Sequence, residues 1–343
     1  MAVNKLDITM MEDVGTSANQ LVQRDGSGNM PAVDGSQVSG LSEFTTSTSD
    51  PTISTNPSGG VGSLWYNKTS GEMYVCTDAT AGANVWTNVG AGSGNIVPYS
   101  FQGSSYGYFY GGTGSPTNKI DRVSFTSDGN ATDVGDILSA RKWGGGCSTA
   151  TFGYMLGGED DSAKQNVIQK YSFTADGNST DVADLTTVRS RADTSSSSTH
   201  GYSAGGRNGN PVNIIEKFSF SAGTNATDVG DLLAATKEGC GGVNSTTYGY
   251  HCQGYAGPLQ NVIEKLPFSS DANSTDVGNT IGTGDFATGA SSTTHGYNMG
   301  GEITSSSPRN IIEKFSFSSD GNATDIADLT RVSIGGARGG IQV

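Results

Sequence analysis

The chain is 343 residues long and sets 19 Lys and Arg against 33 Asp and Glu, a formal net charge of −14. That balance excludes the basic surface that phosphate contacts need, so no nucleic acid is expected as a partner; no apolar run approaches the ~20 residues of a membrane helix, so no membrane insertion is expected either. The apolar fraction is only 34%, but it comes with 51 glycines and 15% charged residues, a mixture that fits an all-β protein of short strands and tight turns rather than a disordered one.

The first residues, Met1 to Leu6, lack an apolar h-region, so no secretory address is expected. Residues 1–45 contain Val22-Gln23-Arg24-Asp25-Gly26-Ser27-Gly28-Asn29-Met30-Pro31-Ala32-Val33, which reads as an extended strand, a glycine-rich turn and another short strand. A segment this small cannot bury enough surface to fold alone. It is expected to associate with other chains, with a trimer favoured. Thr45 to Gly60 is rich in Ser, Thr, Pro and Gly and reads as a linker. Leu64-Trp65-Tyr66-Asn67-Lys68-Thr69-Ser70-Gly71-Glu72-Met73-Tyr74-Val75 predicts an aromatic-rich hairpin, and Val85-Trp86-Thr87-Asn88-Val89 a third strand. Residues 46–95 are thus expected to hold a linker and a small β-hairpin module.

From residue 96 onward the chain repeats itself. Gly-Tyr returns at Gly107-Tyr108, Gly153-Tyr154, Gly201-Tyr202, Gly249-Tyr250 and Gly296-Tyr297, an interval of about 47 residues. Each Gly-Tyr strand ends in a glycine pair such as Gly157-Gly158 or Gly205-Gly206, with Gln253-Gly254 in the fourth copy. A loop of variable sequence follows. A second strand then starts at Asn118, Asn166, Asn213, Asn261 or Asn310; its best copy reads Ile214-Ile215-Glu216-Lys217-Phe218-Ser219-Phe220. With period 2, Glu216 and Lys217 face opposite sides, and both faces carry apolar residues, as expected of a sheet sandwiched between two others. The third piece is a turn and strand, Asp128-Gly129-Asn130-Ala131-Thr132-Asp133-Val134, recurring at Asp176, Gly223, Asp271 and Asp320. The fourth is a strand of small residues, often after a basic one: Arg141, Arg189, Lys237 or Arg331. Four short strands per repeat predict one propeller blade each, hence five blades, with strands from the two ends of residues 96–343 closing the ring. A linear β-solenoid is the structural alternative.

Chemistry is sparse. His200 and His295 recur in register before Gly-Tyr, and His251 follows one, which points to structural roles rather than to a single Ser-His-Asp set. Cys76, Cys147, Cys240 and Cys252 form no CxxC pair and read as small buried thiols. The Asp128-x-Asn130-x-x-Asp133-x-x-Asp136 run raises calcium, since hard cations gather carboxylates. Its recurrence with losses, and its mismatch to an EF-hand loop, favour turn chemistry, so no metal or cofactor is assigned. The Asn-x-Thr sequences at Asn130, Asn178, Asn225, Asn273 and Asn322 read as repeated turns. The informative places are the loops after the glycine pairs, which differ from copy to copy and are expected to cluster at one end. The candidate contact residues there are Glu159, Asp160, Asp161, Arg207, Asn208, Tyr255, Glu302 and Arg309. Variable loops on a rigid scaffold commonly carry recognition.

Gly-Tyr-x-x-Gly-Gly, a variable loop, Asn-x-Ile-Glu-Lys-Phe and Leu-x-x-x-Arg before a small-residue strand together resemble a kelch-type blade over 96–343. Kelch blades usually carry a Trp on the third strand; here Asp133-Val134 stands in that place. The Gly/Ser/Thr-rich version is more similar to kelch-like repeats in bacteriophage structural proteins than to intracellular kelch adaptors. The segment around Val22 to Ser36 and the Leu-Trp-Tyr-Asn…Tyr-Val…Trp pattern also resemble segments of fibre and appendage proteins of marine tailed phages. The resemblance implies an all-β chain, a five-bladed kelch-like β-propeller preceded by a small β-rich anchoring and oligomerisation region. It implies a non-enzymatic virion protein, held to other virion proteins through residues 1–95 and meeting a host-surface glycan or receptor through the propeller. The alternatives are a decoration protein of capsid or tail, and a propeller enzyme acting on polysaccharide, for which Asp160 and Glu302 are the carboxylates to consider.

Overall fold

The computed structural model describes residues 44–89, 105–112, 115–234, 242–303, 307–333 and 341–342. Among these residues there are strands and turns and no helix. The readings made for residues 1–43, 96–104 and 335–340, for Lys237 and for Cys240 lie outside the described residues. The chain divides into two compact units, Met1–Pro98 and Tyr99–Val343.

In the first unit, β1 (Phe44–Ser47), β2 (Leu64–Asn67), β3 (Met73–Asp78) and β4 (Val85–Asn88) form one sheet in that order. The hairpin and third strand stand where the aromatic pattern puts them, and Tyr74, Cys76 and Trp86 make the core, with Trp65 edge-on to Trp86 at 5.9 Å. The expected linker is a different matter. β1 runs into it from Phe44 and pairs parallel with β2, Phe44 opposite Leu64, so a boundary at 45/46 cuts a strand. Beyond β1, the indole of Trp65 donates to Ser49 O at 2.9 Å, the amide of Asn84 to Ile53 O at 2.8 Å, and the indole of Trp86 to Thr55 O at 3.3 Å. A stretch rich in Ser, Thr and Pro therefore acts as the set of acceptors that lets two tryptophans and an asparagine be covered.

The second unit contains five four-stranded antiparallel sheets. The first holds β5 (Tyr106–Tyr110), β6 (Thr117–Ser124) and β7 (Thr132–Arg141). The second holds β8 (Gly145–Ser148), β9 (Phe152–Leu156), β10 (Val167–Ser172) and β11 (Thr180–Asp184). The third holds β12 (Asp193–Ser196), β13 (His200–Ala204), β14 (Ile214–Ser219) and β15 (Thr227–Asp231). The fourth holds β16 (Gly242–Asn244), β17 (Tyr248–Tyr255), β18 (Leu259–Pro267) and β19 (Thr275–Gly284). The fifth holds β20 (Thr288–Ser291), β21 (His295–Met299), β22 (Arg309–Ser316) and β23 (Thr324–Ser333). The last strand, β24 (Ile341–Gln342), returns to the first sheet and pairs with β5, Ile341 opposite Tyr108.

The repeat is explained by how one sheet meets the next. Tyr108, Tyr154, Tyr202 and Tyr250 stack on Phe173, Phe220, Phe268 and Phe317 of the following sheet, at 4.7, 4.9, 4.8 and 5.0 Å between ring centres. Each such pair contributes about 0.5–1.5 kcal/mol beyond its buried area. The glycine before each Tyr is needed for close approach. A Cβ on Gly201 would sit 2.4 Å from the Phe218 ring, and one on Gly296 2.3 Å from the Phe315 ring.

Polar contacts repeat with the same step. The turn asparagines accept a main-chain N–H from the preceding sheet: Asn178 from Asp136, Asn225 from Asp184, Asn273 from Asp231 and Asn322 from Asn279, each at 3.0 Å. The turn aspartates take the basic residue of the Glu-Lys position, in Arg122–Asp176 at 2.6 Å, Lys217–Asp271 at 2.5 Å and Lys265–Asp320 at 2.7 Å. Gly223 breaks that series, and Lys170 lies over the Phe152 ring instead. These pairs are largely in water and add little stability.

The acidic half of the Glu-Lys position behaves differently. Glu216 and Glu264 are buried, and each accepts a main-chain N–H from the sheet before it, Thr186 at 3.0 Å and Leu233 at 2.9 Å. Gln169 does the same for Leu138 at 2.7 Å. A buried polar atom must find a partner, and here the partner is the neighbouring sheet. Glu216 also faces the guanidinium of Arg189 at 2.7 Å, the two side chains being 0% and 1% exposed.

Four apolar clusters lie between consecutive sheets, and among the described residues none joins the fifth sheet to the first. Val123 is 39% exposed where its equivalents Phe218 and Phe315 are buried, and Phe125 on the same strand end is 45% exposed. The outermost faces of the array thus keep the residue types of an interface without its burial.

Candidate functional site

The loops after the glycine pairs start from a shared frame. Glycine at Gly157 and Gly158 has φ of 60° and 89°, and at Gly205 and Gly206 of 64° and 91°, left-handed backbone that turns the chain out of the strand. The next residue then pairs antiparallel with the segment leading into a small-residue strand: Glu159 with Lys142, Arg207 with Ser190, Glu302 with Asp285. Glu159, Arg207 and Glu302 pair again with Lys164, Pro211 and Pro308, which pinches each loop shut. Three of the eight candidate residues therefore occupy one equivalent position, on one edge of three sheets, as expected of a shared loop end.

Their side chains do unlike things. Glu159 accepts from the Ser190 hydroxyl at 2.7 Å and faces Lys164 at 3.8 Å. Asp160 is the acceptor of an Asx turn, taking the Ser162 hydroxyl at 2.7 Å and the main-chain N–H groups of Ser162 and Ala163 at 2.8 and 2.7 Å. Asp161 is exposed and reaches Lys142 at 3.2 Å. The guanidinium of Arg207 donates to Gly209 O at 3.2 Å, and Asn208 closes its turn through Asn210 O at 3.0 Å.

Three residues sit otherwise than expected. Tyr255 is not in a loop; it ends β17 and pairs with Leu259 across a tight hairpin. Glu302 is buried. Arg309 is buried as well, donating to Ile281 O at 2.8 Å and lying 3.6 Å from Glu313. The reason for Arg309 is a swap within the repeat. Arg141 and Arg189 send their guanidinium groups to Gly157 O and Gly205 O, each at 3.1 Å. In the fourth sheet Gly284 stands at that position, and Arg309 fills the room, its Nη2 only 2.9 Å from where a Gly284 Cβ would lie. Burial raises the Glu313 carboxyl above its ordinary range, with Arg309 opposing.

Three further residues that no motif singled out also come together. Trp143, Arg191 and Phe286 each follow one of the paired positions Lys142, Ser190 and Asp285, and each has a left-handed φ, 56°, 58° and 55°. For residues with a Cβ this costs on the order of 1–3 kcal/mol apiece. The Arg191 guanidinium carbon lies 4.0 Å from the Trp143 ring centre and 5.5 Å from that of Phe286, and Lys142 Nζ lies 4.8 Å from Trp143. Arg191 N–H donates to Trp143 O at 2.9 Å, which locks two of the three together through the main chain. Connections entering the second, third and fifth sheets thus meet around one cation. The sequence signal was a bulky residue at the same step in three segments made mostly of small residues.

Asp160 is held down to about 2, first by the Ser162 hydroxyl and then by the two main-chain donors. His200 and His295 bond the hydroxyls of their own neighbours Thr199 and Thr294, and His251 lies buried against Asp193 at 2.5 Å. Among the described residues no group of three His, Cys, Asp or Glu is placed to hold a metal ion, and Cys76, Cys147 and Cys252 are buried thiols.

The Asp160 turn yields a direct expectation. A carboxyl depressed in the fold contributes stability above its unfolded pKa of about 3.9 and loses it as the pH falls through about 2. Ser162→Ala removes the largest of its hydrogen bonds. The Asp160 titration followed by NMR should move upward, short of the unfolded value, because the two N–H donors remain. An unmoved titration would show that the hydroxyl is not what holds it. No protein-family model matches this chain, and no curated protein sequence matches it.

Proposed function

We propose that the chain is a virion appendage of a tailed bacteriophage, a non-enzymatic attachment protein whose propeller meets a host-surface glycan. In this reading the five sheets are the blades of a kelch-like ring closed by β24, which supplies a strand to the first sheet from the far end of the chain. The meeting of Trp143, Arg191 and Phe286 supports a ring over a linear solenoid. Connections belonging to the second, third and fifth sheets can touch one another around an axis, whereas a solenoid keeps them apart by whole repeats.

The observation that carries the functional reading is the set of loops at Glu159, Arg207 and Glu302. They share one backbone frame and differ in sequence and charge, the pattern of a scaffold that holds its framework constant and varies its contacts. Residues 1–95 would anchor the chain to other virion proteins and gather it into an oligomer, with a trimer favoured. Several rings on one particle would turn weak polar contacts into firm attachment. A hydrolase fits less well, since Asp160 is tied into its own turn as a carboxylate.

Electron cryo-microscopy of intact particles tests this. The expected result is density for the chain at a fibre or appendage tip, with the Glu159 and Arg207 loops facing outward. A ring lying flat and covered by neighbouring virion proteins would make it a decoration protein. Absence from the particle would overturn the proposal.

A further inference from the structure

Asn208 is followed by Gly209, the one Asn-Gly step in the 343 residues. The step lies at the tip of the loop after Gly205-Gly206, which the pairing of Arg207 with Pro211 pinches shut, and residues 207–210 are exposed. The Asn208 carboxamide oxygen accepts the Asn210 N–H at 3.4 Å, while the Asn208 N–H donates to Asn210 O at 3.0 Å. An asparagine bonded to its own backbone two residues on makes an Asx turn. That turn folds the Asn208 Cγ back over the peptide nitrogen between them, which belongs to Gly209. Among the described residues the Gly209 N–H has no acceptor. Gly209 has φ of 139°, backbone that suits glycine and few other residues, and a Cβ placed on it would meet nothing within 4 Å. A nitrogen that is neither bonded nor shielded therefore stands beside a carboxamide carbon.

We propose that Asn208 is a site of spontaneous covalent modification, at which the loop closes on itself to a cyclic imide and reopens as aspartate or isoaspartate. The Gly209 nitrogen gives its proton to solvent and attacks Cγ. As the N–Cγ bond forms, the carbonyl electron pair moves onto Oδ1, where the Asn210 N–H already points. The Cγ–Nδ2 bond then breaks, and the leaving nitrogen takes a solvent proton and departs as ammonia. Water adds to one of the two imide carbonyls. Opening at Cγ leaves aspartate on an unaltered main chain; opening at the main-chain carbonyl leaves isoaspartate, with the chain routed through the side chain. One water is consumed, one ammonia is released, and nothing is oxidised or reduced. The turn contributes by holding nucleophile and electrophile together.

The asparagines of the repeat are held the opposite way. The N–H after each one donates to a main-chain oxygen of the preceding sheet: Ser179 to Asp136 at 2.9 Å, Ala226 to Asp184 at 2.8 Å, Ser274 to Asp231 at 3.0 Å and Ala323 to Asn279 at 2.8 Å. The carboxamide oxygens of Asn178, Asn225, Asn273 and Asn322 are bonded to the same sheets. Ring closure there would break two bonds between sheets at once. The fold thus protects four asparagines and leaves Asn208 open, in a loop whose residues are candidates for contact. Modification sets a carboxylate next to Arg207 and, in the isoaspartate form, lengthens the main chain of the loop by one methylene. The chemistry does not depend on what the loop meets.

The test incubates the full-length protein in mildly alkaline buffer, folded and in denaturant, and follows ammonia loss at each asparagine by mass spectrometry of its peptides. A following glycine alone makes Asn208 the fastest in an unfolded chain, so the quantity that decides is the folded rate divided by the denatured rate. The expected ratio is one or more for Asn208, and at least about tenfold lower for Asn178, Asn225, Asn273 and Asn322. The products at Asn208 should include both aspartate and isoaspartate. A ratio for Asn208 as low as those of the other four would overturn the proposal. Aspartate formed without isoaspartate would overturn it too, since that is direct hydrolysis with no imide.

Discussion

Glu216→Ala is expected to destabilise the protein by about 3–5 kcal/mol, the cost of leaving a buried charge without its counter-ion. Glu216 and Arg189 are 0% and 1% exposed and meet at 2.7 Å. The same carboxylate accepts the Thr186 N–H at 3.0 Å and the Thr186 hydroxyl. Truncation would therefore orphan a guanidinium and two donors between the second and third sheets at once. Two further variants separate these contributions. Glu216→Gln keeps the main-chain acceptor, since Gln169 already plays that part for Leu138 in the preceding repeat, and should cost less than alanine. Arg189→Met with Glu216→Leu removes both charges together and should recover much of the loss, because a buried ion pair repays little more than its desolvation. Denaturant midpoints compared at constant slope provide the measurement. A Glu216→Ala protein as stable as the parent would mean that water reaches the pair.

That pair also marks where sequence reasoning stops. The four pieces of the repeat were legible because each carries a local signal: glycine pairs, Asn and Asp turns, and a period-2 run of Ile and Phe. All-β architecture followed from them, and the structure bears out its four-stranded sheets. What could not be read was the use made of polar residues between sheets. Glu216 beside Lys217 reads as a structural or a solvated charge, because nothing local says that its acceptor duty lies about 30 residues back at Thr186. The turn asparagines read as turn formers, yet each also caps the preceding sheet from over 40 residues away. Arg309 was placed on a contact loop because the gap it fills belongs to Gly284, in another sheet. Thr45 to Gly60 read as a linker because its composition is that of one; its role depends on the indoles it covers. The candidate loops were found as variable segments on a constant frame. The Trp143, Arg191 and Phe286 cluster escaped, since its members are alike in position and backbone but not in chemistry.

Phe218→Ala should also cost about 3–5 kcal/mol, the range for truncating a buried aromatic. Its ring lies in the cluster between the second and third sheets, 5.5 Å from Tyr154, and covers Gly201 so closely that a Cβ there would be 2.4 Å away. Removing it opens a cavity that Gly201 cannot fill and that the paired strands on either side cannot collapse into. The informative comparison is Phe125→Ala. Phe125 belongs to the same strand pattern but is 45% exposed on the outer face of the first sheet. As it stands, its loss should cost less than about 1 kcal/mol. The partner that the repeat would assign to it is Tyr297 of the fifth sheet, the one Gly-Tyr tyrosine of the five that is not buried. Sheets one and five would then meet as every other pair does, with Asp128 set toward Lys314 and Asn130 toward the Asp328 N–H. A Phe125→Ala cost equal to that of Phe220→Ala, its equivalent against Tyr154, would therefore show that the first and fifth sheets meet in solution. A cost near zero would leave the β24–β5 pairing as the link between the two ends of the repeat, with the first and fifth sheets presenting two matching faces to water.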